Sequence, residues 1–400
     1  MVNRELTPYE RIDRAIDASS DDLRRISLDL HAHPELNFEE VHAHEVLTDY
    51  LDREGFEVVR GAYTMPTAFK AVAGAGGPTV AVLSEYDALP GIGHACGHNL
   101  IAIAGIGAGL GLRAGLEGQP GTLVILGSPA EEGGAGKQIL IEQHAFDGVD
   151  AAFMAHPSPQ DNASPRVQAI QQLKVEYFGR NAHAAAMPWQ GLNALDALVM
   201  GYNAVSVLRQ QMRPNDRVHG IFTAAGLKPN IIPDYTAAEY YVRSATMAEL
   251  AELKERVKAA LESAGPATGC RAEVSWVGRP YTDMVTNEPF ARRYSEHMAE
   301  LGRAVGLEHW MGGSTDMGNV SYVVPTIHPM FAIPCDPMNA NHTAPFTDAA
   351  ATPEAHENTI RVAKAMARAA YDVIADPTLL AEVRASFAKS VPNAGDPLRS

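Results

Sequence analysis

A chain of 400 residues has room for two domains, because a single hydrophobic core rarely grows past about 250–300 residues. Acidic residues outnumber basic ones by 48 to 32, and the resulting net charge of −16 argues against nucleic acid as a partner. The longest uncharged apolar run, 100–112, is shorter than the about 20 residues that a membrane helix needs. Three well-separated cysteines, Cys96, Cys270 and Cys335, exclude a disulfide scaffold. We expect a cytoplasmic protein with no membrane partner.

The first 155 residues alternate between helical and strand patterns. A capping box from Thr7 to Glu10, with proline at the first helical position, predicts the start of a helix. A second helix fits 38–53. Apolar runs bounded by glycine and proline predict strands, and helical stretches separate them; the strands are 79–83, 122–126 and 151–155, and the helices 97–114 and 134–145. This alternation indicates an α/β fold with a mostly parallel sheet and helices on both faces.

The pattern changes near residue 171. The segment 172–282 predicts the order β-α-β-β-α-β of a ferredoxin-like unit, and a long helix from 353 to 374 then returns to the first pattern. We therefore predict a first domain formed by 1–171 and 283–400 and an inserted domain, 172–282.

Polar residues follow all three predicted strands of the first domain. The segment 84–98 comes after the first, Glu131 and Glu132 after the second, and His156 after the third. Ligands of open α/β sheets bind at the carboxyl ends of the strands, so we expect these side chains to meet.

Cys96 and His98 supply the thiolate and imidazole that zinc prefers, although a lone cysteine near a helix start is more often a packed side chain. We expect an extended chain at Gly97, which would point both side chains the same way. Of the adjacent carboxylates Glu131 and Glu132, one could bind a metal ion while the other takes a proton from water. A plain solvated pair at a helix start explains two adjacent carboxylates less well.

Several other active-site motifs are absent. The chain has no G-x-G-x-x-G, no phosphate-binding loop around Lys137, no G-x-S-x-G and no P-C-x-x-C. His31, His33 and His94 are interpreted as structural. Trp189 and Trp310 are candidates for lining a substrate pocket, although simple packing is the commoner role of an aromatic side chain.

Three segments carry a family resemblance: SEYDALPGIGHACGHN at 84–99, the glutamate pair, and GRNAH at 179–183. With them the chain resembles the co-catalytic metallopeptidase family M20, specifically the amidohydrolase branch with the HACGH signature. The motif is most similar to the group that contains p-aminobenzoyl-glutamate hydrolase subunits and β-alanyl-lysine dipeptidases. The resemblance extends from His31 to His342.

The resemblance implies two divalent metal ions per chain, zinc first, with manganese, cobalt or nickel as alternatives. Cys96 occupies the position of a bridging aspartate in relatives, and Glu131 that of the general base. The implied metal ligands are Cys96, His98, Glu132, His156 and His342.

The resemblance also assigns roles to the inserted domain. His183 corresponds to a residue that stabilises the oxyanion, in its own site or in that of a partner chain. Asn230 and Arg243 correspond to positions that contact a substrate carboxylate. By the same resemblance, 1–171 and 283–400 form the metal-binding catalytic domain and 172–282 is its lid. An exposed sheet edge on that lid invites pairing with a second copy, so we expect a homodimer through the inserted domain.

Two positions depart from the family pattern. Glu85 stands where many relatives have a histidine ligand, and we expect His98 to replace that ligand with Asp87 supporting it from behind. Met317, rather than a nearby arginine, follows Asp316, which removes one expected clamp for a carboxylate.

The expected function is metal-dependent hydrolysis of an amide bond in a small carboxylate-bearing substrate, such as a dipeptide, an N-acyl amino acid or an aryl-glutamate. Two alternatives remain open. One is a catalytically inactive partner subunit of such an enzyme, against which the retained Glu131 speaks. The other is an amidohydrolase for one unusual metabolite.

Overall fold

The computed structural model describes residues 4–307 and 313–398, so Trp310 lies outside the described residues. The chain divides into two compact units, Met1–Arg166 with Met284–Ser400, and Val167–Asp283. The predicted inserted domain, 172–282, lies within the second unit.

The described strands and helices, in chain order, have the following bounds. The strands are β1 Glu57–Arg60, β2 Phe69–Ala75, β3 Thr79–Glu85, β4 Gly121–Ser128, β5 Ala151–Phe153, β6 His156–Ser158, β7 Ala169–Phe178, β8 Arg217–Ala224, β9 Tyr235–Ser244, β10 Arg271–Tyr281, β11 Thr326–Ile327 and β12 Met330–Ala332. The helices are α1 Pro8–Ala32, α2 Val41–Arg53, α3 His98–Gly115, α4 Gly136–Glu142, α5 Ala194–Val207, α6 Met247–Thr268, α7 Glu288–Glu300, α8 Met317–Val320, α9 Ala344–Ala349, α10 Pro353–Ala375 and α11 Pro377–Ser390.

The first unit is built on a six-stranded sheet in the order β1-β2-β4-β3-β5-β11. Strands β4, β3, β5 and β11 run parallel, which confirms the mainly parallel sheet. The sequence did not predict β2 and β1, which continue the sheet antiparallel at one edge. A short parallel pair, β6 with β12, lies beyond β5 and β11 in the chain.

Both faces of this sheet are covered, as the nearly continuous apolar sequence of β3 requires. Alternate residues of a strand point to opposite faces. Val80 and Val82 therefore belong to a core shared with α1, α3 and α10, whereas Ala81 and Leu83 belong to a second core with α4 and α8.

Helix α1 shows how local sequence signals place an element against this core. The Thr7 side chain accepts a hydrogen bond from the Glu10 amide, and the Glu10 carboxylate accepts one from the Thr7 amide, as the capping box predicts. Its apolar stripe is buried, including Ile12 and Leu23.

The second unit has the predicted β-α-β-β-α-β order. Its four strands form an antiparallel sheet in the order β10-β7-β9-β8. Leu173, Val175 and Tyr177 alternate along β7 and form a core with α5 and α6. Strand β8 is an edge strand because it comes last in this order.

Among the described residues of the whole chain, no helix has the length and apolar character needed to cross a membrane.

Candidate metal centre and active site

Gly97 sets the positions of Cys96 and His98. Its φ is 77°, and an added Cβ would lie 2.5 Å from Cγ of Pro157, so glycine is required in this left-handed turn. Helix α3 begins at His98, directly after the turn. The predicted extended chain is therefore wrong, because a helix start at His98 demands a sharp change of direction, but the two side chains still converge.

Six predicted site residues of the first unit come together. Ligand atoms of Cys96, His98 and His156 all lie within 4.8 Å of one another, and so do those of Cys96, Glu132 and His342. Cys96 belongs to both groups, which suits a thiolate shared by two ions. Glu131 completes the set, with an Oε2 atom 3.9 Å from Nε2 of His98.

The distances between the donor atoms suit metal ligands. Cys96 Sγ lies 3.4 Å from His156 Nε2, and His342 Nε2 lies 3.5 Å from Glu132 Oε1. Two donors of one tetrahedral ion, bound at about 2.0–2.3 Å, are about 3.3–3.6 Å apart. Within the described parts of the chain, the buried His98 Nε2 and Glu132 Oε1 atoms have no hydrogen-bond partner. Since an unpartnered buried polar atom is costly, these donors fit a metal ion.

Hydrogen bonds behind the donors hold their rings and backbone in place. Asp87, itself buried, has Oδ1 at 3.0 Å from His98 Nδ1, and its Oδ2 accepts the amide of Glu132 at 2.9 Å. The Nδ1 atom of His156 lies 2.7 Å from the Pro157 carbonyl oxygen. Nδ1 of each ring is engaged in this way, so Nε2 is the ring atom that can bind a metal ion.

Glu131 and Glu132 follow strand β4 in a tight turn. Ala130 has a φ of 60°, unusual for alanine, and its amide donates to the buried Glu40 carboxylate at 2.9 Å. This turn places Glu131 in the interior, where only 6% of the residue is exposed.

The buried carboxylates and the thiol of the cluster favour the binding of a cation. Burial raises the pKa of Glu131 well above its ordinary value, and the charges of Glu85 and Glu132 raise it further. Burial also raises the pKa of the Cys96 thiol and lowers the pKa of His156 to about 4. Divalent ions would offset the repulsion between the carboxylates and favour the thiolate, while His156 is already neutral.

His183, Asn230 and Arg243 lie in the second unit. The Ala184 amide donates to the Asn230 carbonyl oxygen at 3.1 Å. His183 and Asn230 therefore lie on two segments that are joined by backbone hydrogen bonding. Both are exposed. Arg243 lies on β9, where its Nε donates to His219 Nε2 at 3.3 Å. Trp189, also in this unit, is 76% exposed.

The sequence reasoning missed one group at the site. Lys137 is fully buried between the carboxylates of Glu85 and Asp316. The only indication in the sequence is that a charged residue stands at the start of α4, two residues before the apolar run 139–141. A buried lysine needs carboxylate partners, but no local pattern says which.

Comparisons with known proteins point to one family of enzymes. Residues 81–369 match peptidase family M20/M25/M40. Human Xaa-Arg dipeptidase is 44% identical over 394 residues, which cover 93% of this chain and 90% of the human protein. One of the p-aminobenzoyl-glutamate hydrolase subunits of Escherichia coli is 29% identical over 453 residues, covering 94% of this chain and 93% of that relative.

The fold is shared with solved structures. A dinuclear metal-binding M20 peptidase of Bacillus subtilis superposes with a TM-score of 0.69 at 22% identity, covering 90% of this chain and 99% of that one. The fold, the donor cluster and the relatives together define a metal-dependent hydrolase of amide bonds in small substrates. Within that class, the chain belongs to peptidase family M20/M25/M40.

Proposed function

We propose that the protein is a dipeptidase that uses two divalent ions, with zinc as the resident metal, and prefers a basic residue at the C-terminal position of its substrate. The carrying observation is the donor cluster that shares Cys96 between two groups of ligand atoms, with Glu131 buried beside it. Ions bound there would supply Lewis acidity, which lowers the pKa of water and polarises the scissile carbonyl.

Glu131 is the proposed general base. Its carboxylate reaches the donor cluster but belongs to neither group that contains Cys96. It can therefore take a proton from the attacking water and pass it to the leaving amine. A buried base in this position also speaks against the alternative of a catalytically inactive subunit.

His183 is the proposed donor to the oxyanion. Its Nδ1 lies 3.3 Å and 3.1 Å from the amides of Ala185 and Ala186, both of which donate to it. A neutral ring that accepts at Nδ1 carries its proton on Nε2, so Nε2 is the donor. Small alanine side chains on either side leave space for a substrate.

The preference for a dipeptide with a basic C-terminal residue rests on two observations. The human relative that matches nearly the whole chain is an Xaa-Arg dipeptidase. The net charge of −16 attracts a cationic substrate. Asn230 and Arg243 remain the proposed contacts of the substrate carboxylate.

A substrate panel tests the proposed function. Purified protein loaded with zinc, and in parallel with manganese, is assayed on Ala-Arg, Ala-Lys, Ala-Ala, N-acetyl amino acids and p-aminobenzoyl-glutamate. We expect the highest kcat/KM for Ala-Arg and Ala-Lys. A higher value for an N-acyl amino acid or for the aryl-glutamate would contradict the dipeptidase proposal, although not the amide hydrolase class.

Two substitutions test the catalytic roles on the best substrate of this panel. Glu131→Gln should retain the metal and lower kcat by about 10²–10⁴-fold or more, because an amide cannot accept the proton. His183→Ala should lower kcat by roughly 10²–10³-fold with unchanged metal content. A Glu131→Gln enzyme with nearly normal turnover would show that another group is the base.

A homodimer through the second unit is part of the proposal. Strand β8 offers an unpaired edge, and large apolar side chains are exposed on β8 and α5. They are Val199, Met200, Tyr202, Val207, Ile221 and Phe222. A cytoplasmic location is also proposed; the three free cysteines suit a reducing compartment.

A further inference from the structure

A buried ion triad lies against the donor cluster. The Lys137 ammonium donates to Glu85 Oε2 at 2.5 Å and to Asp316 Oδ1 at 2.7 Å. The Lys137 backbone amide donates to the other oxygen of Asp316 at 2.9 Å, so Asp316 holds the lysine at two points. All three side chains have zero exposure.

The second oxygen of Glu85 points away from this triad. Glu85 Oε1 lies 3.3 Å from His98 Nε2, and neither atom has a hydrogen-bond partner among the described residues. Asp87 engages Nδ1 of the His98 ring, so Nε2 is the ring atom that faces Glu85 Oε1. Both facing atoms are of types that bind zinc, and one ion between them would satisfy both.

The spacing also fits a shared ion. Two donors at about 2.0–2.1 Å from one tetrahedral ion are separated by about 3.3 Å. Glu85, His98 and Glu131 form a third group of ligand atoms that lie within 4.8 Å of one another. A role for Glu85 only as counter-ion of Lys137 accounts for the position of Oε2, whereas Oε1 faces the donor cluster.

We propose that Glu85 is an additional ligand, through Oε1, of the ion bound by His98. Lys137 acts as a positioning residue: anchored by Asp316, it occupies Oε2 and so limits Glu85 to binding through one oxygen. This inference rests on the proposed metal centre. It also revises the expectation that His98 alone replaces the histidine that many relatives have at position 85.

Cobalt(II) is the probe for this proposal. Wild-type protein stripped of metal is titrated with Co²⁺, and the visible absorption bands and the affinity in competition with a chelator are recorded. Glu85→Gln should change the d–d bands and weaken Co²⁺ binding by about 10–100-fold. Lys137→Met should shift the same bands, because Glu85 is then free to rotate.

Asp372→Asn is the matched control, because Asp372 is also a buried carboxylate with ion-pair partners but lies in α10, outside all the donor groups. It should lower stability without changing the cobalt spectrum or affinity. If Glu85→Gln behaves like this control, Glu85 serves only as the counter-ion of Lys137 and the proposal is overturned.

A crystal structure of the zinc-loaded wild-type protein gives a second answer that does not depend on a variant folding. Glu85 Oε1 within about 2.2 Å of an ion would support the proposal, whereas a separation beyond about 3 Å would overturn it. Wild-type protein that binds no Co²⁺ or Zn²⁺ would instead contradict the metal centre itself, so the two failures are distinguishable.

Discussion

Cys96 is central to the proposed centre, since it belongs to both groups of donors that contain the five predicted metal ligands. The thiol is buried, and burial raises its pKa, so without a cation it would stay protonated. A metal ion reverses this preference by binding the thiolate. At this scale the HACGH sequence indicated which side chains meet, but it did not indicate the left-handed turn at Gly97.

We predict that Cys96→Ala lowers the metal content of the purified protein, because both groups lose a donor. Elemental analysis after dialysis measures the metal-to-protein ratio. Cys335→Ala is the control, since Cys335 is a free cysteine of the same unit that belongs to none of the donor groups. An unchanged ratio in Cys96→Ala would show that this cysteine is a packed side chain with no metal role.

The elements that were predicted are those whose own sequence determines them. Strands β3 and β4 were predicted because their apolar runs directly follow proline or glycine, and residues of the site come after the ends of these strands. The sequence of β2, FKAVAGA, is rich in alanine and glycine, which have low strand propensity, and the strand was missed. It forms because the edge of β4 supplies partners, which a local pattern cannot show.

Helix packing in the first unit has a similar dependence on distant partners. The buried Asp372 carboxylate of α10 accepts a hydrogen bond from Tyr9 of α1 at 2.6 Å and contacts His297 and Arg293 of α7 at 2.7 and 2.5 Å. Burial alone would raise the pKa of Asp372. The hydrogen bonds from His297 and Tyr9 and the charge of Arg293 outweigh burial and lower it. These partners lie far apart in the chain, so sequence periodicity could not reveal them.

We predict that Asp372→Asn lowers the free energy of unfolding by about 3–5 kcal/mol at pH 7, because it breaks a buried ion-pair network. The lowered pKa means that ionised Asp372 stabilises the fold above its unfolded pKa of about 4, and that this contribution is lost as the pH falls further. Urea unfolding at several pH values should therefore show that the difference in the free energy of unfolding between wild type and Asp372→Asn becomes smaller only below about pH 4.

The control for this experiment is Asp17→Asn, which removes a partly exposed ion pair with Lys364. This substitution should lower the free energy of unfolding by at most about 1 kcal/mol at any pH. A difference between wild type and Asp372→Asn that stays constant down to pH 3 would contradict the charge-based explanation.

On the scale of the whole molecule, the two units differ in what they leave exposed. The first unit buries its sheet on both faces, whereas the second leaves several large apolar side chains exposed on its edge strand β8 and on α5. The order of strands and helices in the second unit was predictable from the sequence because each element has its own turn signals and periodicity. The partner of the exposed edge was not predictable, because no local sequence pattern indicates which surface binds there.

We predict that a charge on the β8 edge dissociates the dimer. Ile221→Glu places a carboxylate where 67% of the isoleucine is exposed in the single chain. Light scattering after size exclusion should give the mass of a dimer for wild type and that of a monomer for Ile221→Glu. Met338→Glu, on an exposed apolar residue of the first unit, should remain dimeric. A monomeric wild-type protein would contradict the proposed assembly.

The central claim is that metal ions held by this donor cluster are required for amide hydrolysis. Its most direct test is a titration of metal-free protein with zinc, in which hydrolysis of the best dipeptide is measured against equivalents of ion added. We predict no turnover in the metal-free protein and a rise that reaches its plateau at two equivalents per chain. Full activity after complete removal of metal, or a titration that never restores activity to correctly folded protein, would contradict the claim.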